Sequence, residues 1–125
     1  MAESFWTIPN VEKVRVPILI MREQASELTR LTNGSLRGYV ESQKLGDELY
    51  LKFHIIVPAL DNYTIELFSY EQPMQIYPGV LESNVHKQRI RIDDIQQFSS
   101  TLRDMLSSDD TQRVLTALLA QTKSE

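Results

Sequence analysis

The sequence predicts an α+β protein, a two-layer sandwich. One N-terminal and two C-terminal helices pack on one face of an antiparallel meander sheet of four to five strands. Three observations carry this expectation. Residues 49–71 alternate apolar and polar side chains as a β-hairpin does, residues 16–33 repeat apolar side chains every three or four positions, and two more stripes of that helical period follow residue 93. A sheet with one uniformly apolar side must be covered, and these helices are the elements available to cover it.

The hairpin is the centre. Leu49, Leu51, Phe53, Ile55 and Val57 fall on one side of the first strand, and Tyr50, Lys52, His54 and Ile56 on the other. Pro58 cannot donate to a ladder and ends it. Ala59-Leu60-Asp61-Asn62 reads as the turn. In the second strand Tyr63, Ile65 and Leu67 share a side, opposite Thr64, Glu66, Phe68 and Tyr70. Pairing Val57 with Tyr63 then sets Phe53 opposite Leu67 and His54 opposite Glu66, with both faces matched.

Around it the chain divides into an N-terminal arm (1–14), one α+β domain (15–121) and a tail (122–125). Phe5, Trp6 and Ile8 are the arm's anchors, and a terminal segment that carries them is expected to dock on its own domain or on a second subunit. The first helix opens at Pro17, carries Ile18, Met21, Ala25, Leu28 and Leu31 on one face, and stops at Asn33-Gly34. Residues 35–44 form the first strand. If Lys44 pairs with Leu49, Val40 meets Phe53 inside, while Glu41 meets Lys52 and Tyr39 meets His54 outside. Met74-Gln75-Ile76-Tyr77 is the expected fourth strand, bent at Pro78-Gly79 with Val80 and Leu81 continuing it, and Arg89–Ile92 a short fifth. Asp93 or Asp94 caps a helix carrying Ile95, Phe98, Leu102, Met105 and Leu106. Ser107-Ser108-Asp109-Asp110 starts the last one, with Val114, Leu115, Leu118 and Leu119 as its stripe.

Composition excludes several function classes. The 125 residues carry a net charge of −4, with a pI near 5.2, which argues against general nucleic-acid binding. Without cysteine there is no disulfide, thiol nucleophile, iron–sulfur cluster or Cys-type zinc site. The N-terminus lacks a secretory signal pattern, and the longest apolar stretches fall far short of the ~20 residues that span a bilayer. A cytoplasmic protein with no membrane partner is the expectation.

No catalytic, cofactor-binding or metal-binding set emerges. His54, with Glu66 opposite, is the one candidate for acid–base chemistry, but no nucleophile motif accompanies it. His86 and His54 lack ligand spacing, and the acidic pairs Asp93-Asp94 and Asp109-Asp110 are explained by helix starts. The glycines are isolated, so no phosphate loop exists. The run His86-Lys87-Gln88-Arg89-Ile90-Arg91 reads as a solvated loop and edge strand, with an anion or acidic partner as its functional alternative. What remains is the sheet's second face. Tyr39, Tyr50, Lys52, His54, Phe68, Tyr70 and Tyr77 mix aromatic rings with a few charges, the composition of a protein contact surface. The expectation is a non-enzymatic binding or adaptor protein, chaperone- or immunity-like in architecture only, that meets a protein partner or a second copy of itself through that face. The alternatives are a small-molecule binder with a pocket between helices and sheet, and a hydrolase using His54.

Overall fold

The computed structural model describes residues 3–11 and 14–123. The rest of the expected arm (1, 2, 12 and 13) and of the tail (124 and 125) lies outside the described residues. The elements are α1 (Pro17–Leu31), β1 (Arg37–Leu45), β2 (Glu48–Val57), a 3-10 turn (Pro58–Leu60), β3 (Tyr63–Gln72), β4 (Gly79–Ser83), β5 (Gln88–Ile92), α2 (Ile95–Leu106) and α3 (Asp109–Thr122). The strands form one antiparallel five-stranded sheet in sequence order β1-β2-β3-β4-β5. This is the α+β layout the sequence predicts, with the fifth strand present.

The β1–β2 register is the expected one. Lys44 pairs with Leu49, Val40 with Phe53, Glu41 with Lys52 and Tyr39 with His54. In the β2–β3 pair the expected register runs from Val57–Tyr63 to His54–Glu66, and then a β-bulge intervenes. Leu67 is the extra residue, so Phe53 pairs with Phe68 and not with Leu67. Residues that share a bulge turn to the same side of the sheet. Leu67 and Phe68 are accordingly both buried, at 3% and 0% exposure.

Past the bulge the parity of β3 is reversed, and Tyr70 points into the core while Ser69 and Glu71 face out. A regular ladder would have buried Ser69 and left two aromatic rings in water. Burying a large apolar side chain contributes ~1.5–3 kcal/mol, and a lost ladder hydrogen bond costs only about 0.5–1.5 kcal/mol. The bulge therefore wins. Its product is a stacked Phe53–Phe68 pair, with ring centroids 5.0 Å apart. Tyr63 keeps the inward parity but lies beside the turn and stays exposed.

Tyr70 then dictates the next segment. Its ring meets Phe98 of α2 edge-on at 5.1 Å, and its hydroxyl donates to the Ile76 carbonyl at 2.9 Å. A Cβ at position 79 would come within 2.2 Å of that hydroxyl, which makes Gly79 the residue that lets β4 begin there. Residues 74–77, expected as the start of the fourth strand, form an irregular loop in which Ile76 has a positive φ. Pro73 and Pro78 withhold two backbone donors, and the Tyr70 hydroxyl holds the loop between them.

α1 rests on β1 at one close contact. A Cβ on Gly38 would sit 2.4 Å from the Ala25 Cα. Thr29 accepts from the Gly38 N–H at 3.1 Å, and Thr32 bonds both polar groups of the Leu36 backbone. That seating buries Ile20, Met21 and Ala25, and it leaves Leu31, expected on the buried stripe, 68% exposed at the helix end. Asp94 caps α2 by accepting from Gln97 N, and Ser108 caps α3 by accepting from Thr111 N. Phe98, Leu102, Met105 and Leu118 complete the core.

Three substitutions test this packing by urea unfolding. Phe68→Ala is expected to destabilise the protein by ~3–5 kcal/mol as a core deletion, whereas Ser69→Ala changes stability by less than about 0.5 kcal/mol. Gly38→Ala is expected to cost ~1–3 kcal/mol through overpacking against Ala25.

Candidate functional site

The outer face of the sheet is built in cross-strand rows. Tyr39, His54 and Glu66 form one row, Glu41, Lys52, Ser69, Glu82 and Arg89 the next, and Gln43, Tyr50, Glu71, Val80 and Arg91 the third. Of the seven residues expected to form a contact surface, Tyr39, Tyr50, Lys52 and His54 lie together here. Phe68 and Tyr70 do not, because the bulge turns them into the core. Tyr77 does not either. It sits in the loop before β4, packed against the core with its hydroxyl buried and unpartnered.

The pairing within the face also departs from expectation. His54 Nε2 meets Glu41 Oε1 at 3.1 Å, and Glu66 instead accepts from Asn84 Nδ2 at 2.9 Å. The Tyr39 ring stacks on the imidazole at 6.1 Å. Toward β5 the charges neutralise one another. Arg89 bridges Glu82 (2.5 Å) and Glu71 (3.4 Å), and Arg91 pairs with Asp93 (2.8 Å). Both arginines of the basic run read as a possible anion site are thus committed to carboxylates of their own chain. Glu71 also acts on Tyr50, raising its pKa because the carboxylate opposes a phenolate beside it. Toward β1 the balance differs. Arg37, Lys44 and Lys52 make no ion pair among the described residues, and neither does Arg22 of α1.

The β1 edge is open over half its length. Antiparallel strands send alternate residues' N–H and C=O groups to opposite sides. The Gly38 N–H goes to Thr29 and the Leu36 groups to Thr32, so the even-numbered residues of β1 face away from β2. The threonines close the edge at 36 and 38. Beyond them Val40, Ser42 and Lys44 turn backbone groups to solvent, and residues 41–45 are exposed on both faces. Arg22 and Ser26 of α1 form a wall above this edge, with Gly38 to Ser42 as the base of a shallow trough.

Two further features stand out, a histidine network that sequence reasoning missed and a cleft between helices and sheet, where the alternative reading of a small-molecule binder places its pocket. His86, in the β4–β5 turn, joins Ser83 Oγ at Nδ1 (2.8 Å) and Ser108 Oγ at Nε2 (3.0 Å), with Asp110 Oδ2 at 3.7 Å. The composition invites a nucleophile reading, but the hydroxyls are committed. Ser108 donates to the Met105 carbonyl and caps α3, and Ser83, 3% exposed, also accepts from the His86 N–H. With Ser108 Oγ donating to Met105, the network is satisfied when Nδ1 accepts from Ser83 Oγ and Nε2 donates to Ser108 Oγ, and it ties the β4–β5 turn to the start of α3. The sequence signal was Ser83 three residues before His86. The second feature is a cleft of about 210 Å³ between α1 and α3, floored by Phe53, Ile55 and Leu67.

Among the described residues no group of three side chains could hold a metal ion, and no helix is long and apolar enough to cross a membrane. Compared with known proteins, the chain matches no family model, no curated protein and no solved structure.

His86→Ala is expected to lower stability by ~1–2 kcal/mol, the scale of one or two lost hydrogen bonds, measured by urea unfolding. Burial raises the pKa of Tyr70, and burial with Asp94 nearby raises that of Tyr77. A raised pKa keeps the proton in the folded state, so their contribution is complete below the ordinary tyrosine value of about 10 and is lost as pH climbs past it. Alkaline unfolding monitored by tyrosinate absorbance should therefore begin above that pH, and Tyr70→Phe should flatten the slope.

Proposed function

We propose that this is a non-enzymatic, cytoplasmic protein-binding module that takes an extended segment of a partner as an added strand on β1. The observation that carries the reading is the open half of that edge, where Val40, Ser42 and Lys44 offer backbone groups that take no partner among the described residues. Strand addition draws affinity from such main-chain groups and selectivity from the side chains beside them. Here those are Tyr39 and the Glu41–His54 pair on the outer side, and Arg22, Val40 and Lys44 on the inner. Arg22 and Lys44 favour acidic side chains in the incoming segment. An exposed strand edge of this length is normally blunted by charge, proline or a covering element. In this protein Thr29 of α1 and Thr32 at its C-terminal cap blunt one half and leave the other.

The partner is a polypeptide. Nucleic acid is disfavoured by the net charge of −4. A catalytic use of His54 finds no support, since no hydroxyl is hydrogen-bonded to its ring among the described residues.

Ser42→Pro tests the reading. Proline is tolerated on an edge strand where its missing N–H faces solvent, so the fold should persist while the donor for an added strand is lost. Peptides selected against the wild-type protein from a displayed library should bind Ser42→Pro at least ~10-fold more weakly, about 1.4 kcal/mol, and Ser42→Ala unchanged. Equal binding to all three proteins would remove the basis for strand addition at this edge.

A further inference from the structure

The open half of the β1 edge has two sides of different chemistry. Gly38 lies beneath Ala25, so by the alternation of a strand Val40, Ser42 and Lys44 turn their side chains to the same face as α1. α1 runs antiparallel to β1. Thr32 bonds the Leu36 backbone, Thr29 accepts from the Gly38 N–H, and Arg22, nearer the start of the helix, walls the trough that ends at Ser42. Two cations therefore overlook this half of the edge, Arg22 above it and Lys44 within it. Both are exposed, and neither makes an ion pair among the described residues. In a chain of 17 acidic and 13 basic residues this is a local surplus of positive charge. The other side differs. Glu41 and Gln43 lie there between Tyr39 and Leu45, which are 52% and 50% exposed.

Resting on the strand-addition reading of this edge, we propose that its partner is a segment of another protein that carries two carboxylate side chains four residues apart, with an apolar residue outside each. An added strand hydrogen-bonds to Val40, Ser42 and Lys44, and residues opposite one another share a face. The partner residues opposite Val40 and Lys44 are thus four positions apart, about 13 Å at ~3.3 Å per residue, and both point to the α1 side. One meets Arg22 and the other Lys44. The residue between them, opposite Ser42, is small or polar. The two that alternate with these point to the outer side, against Glu41 and Gln43, where a carboxylate would be repelled. The flanking positions lie opposite Tyr39 and Leu45, and apolar side chains pair with those. The pattern reads the same in either chain direction.

A second copy of β1 does not fit this demand. The two-fold register that uses all three open residues sets Lys44 of one copy opposite Val40 of the other, beneath Arg22, and brings like charges together. Elsewhere in the chain the only acidic residues four apart are Glu23 and Glu27, and both belong to α1. The occupant is therefore a different polypeptide.

Three capped heptapeptides test the proposal, each titrated into the full chain and followed by amide chemical shifts. Val-Glu-Thr-Ser-Thr-Glu-Tyr has the carboxylates in phase. Its isomer Val-Thr-Glu-Ser-Glu-Thr-Tyr moves them to the outer side at the same net charge, and the third peptide replaces both Glu of the first by Gln. The in-phase peptide should shift the amides of Val40, Ser42 and Lys44, and should bind about 10-fold more tightly than its isomer and about 5-fold more tightly than the Gln peptide, the scale of two exposed ion pairs. Arg22→Gln and Lys44→Gln alter exposed, unpaired side chains and should stay folded. Each should weaken the in-phase peptide by about 2–5-fold and leave the Gln peptide unchanged. Equal affinities for the isomers at those three amides, or indifference to both substitutions, would overturn the charge pattern and leave strand addition standing. Peptides that shift none of the three amides would overturn both.

Discussion

The rest of the molecule depends on one irregularity, the bulge at Leu67 and Phe68. It lets a single strand send Ile65, Leu67, Phe68 and Tyr70 toward the helices. The stacked Phe53–Phe68 pair, the edge-on Tyr70–Phe98 contact with α2 and the hydrogen bond from Tyr70 to Ile76 all follow from that reversal. So does the start of β4 at Gly79, where any side chain would collide with the Tyr70 hydroxyl. The same reversal sets the character of the outer face. Ser69 and Glu71 stand where Phe68 and Tyr70 would have been, and Glu71 becomes a partner for Arg89. An aromatic contact surface is thereby exchanged for an ionic lattice. Aromatic character survives near β1, in Tyr39 and Tyr50.

A second close contact, Gly38 beneath Ala25, positions the functional end of the sheet. It brings α1 low enough for Thr29 and Thr32 to reach the edge of β1, and in doing so divides that edge into a closed half and an open half. The helical layer is consequently uneven. α1 sits over β1, α3 over the turn after β2, and a cleft lies between them above Phe53, Ile55 and Leu67, which stay buried. The division of the β1 edge is a consequence of where one glycine seats one helix.

Much of this was legible in the sequence, and the reasons are specific. The β1–β2 register was readable because inner and outer faces agreed independently, Val40 with Phe53 inside and Glu41 with Lys52 outside. Helix starts were readable from Asp94 and Ser108. The bulge was not, since Glu66-Leu67-Phe68-Ser69-Tyr70 keeps a plausible period of two whichever residue is skipped. The informative sign was the adjacent pair Leu67-Phe68 followed by a serine at the inward parity. That misreading carried Phe68 and Tyr70 to the wrong face. Tyr77 was misplaced for another reason, because two prolines and the reach of the Tyr70 hydroxyl, a tertiary contact, override local strand propensity. The His86 network and the lining of the cleft between helices and sheet join residues distant in sequence, so periodicity could suggest a pocket there but not which residues form it.

The most direct test of the bulge is the cross-strand proton contact pattern of β2 and β3 in solution by NMR. The bulged register predicts Lys52 opposite Ser69, Leu51 opposite Tyr70 and Tyr50 opposite Glu71. Contacts between the Tyr50 and Tyr70 rings, with Lys52 opposite Phe68, would instead restore the regular ladder and return the two aromatics to the outer face.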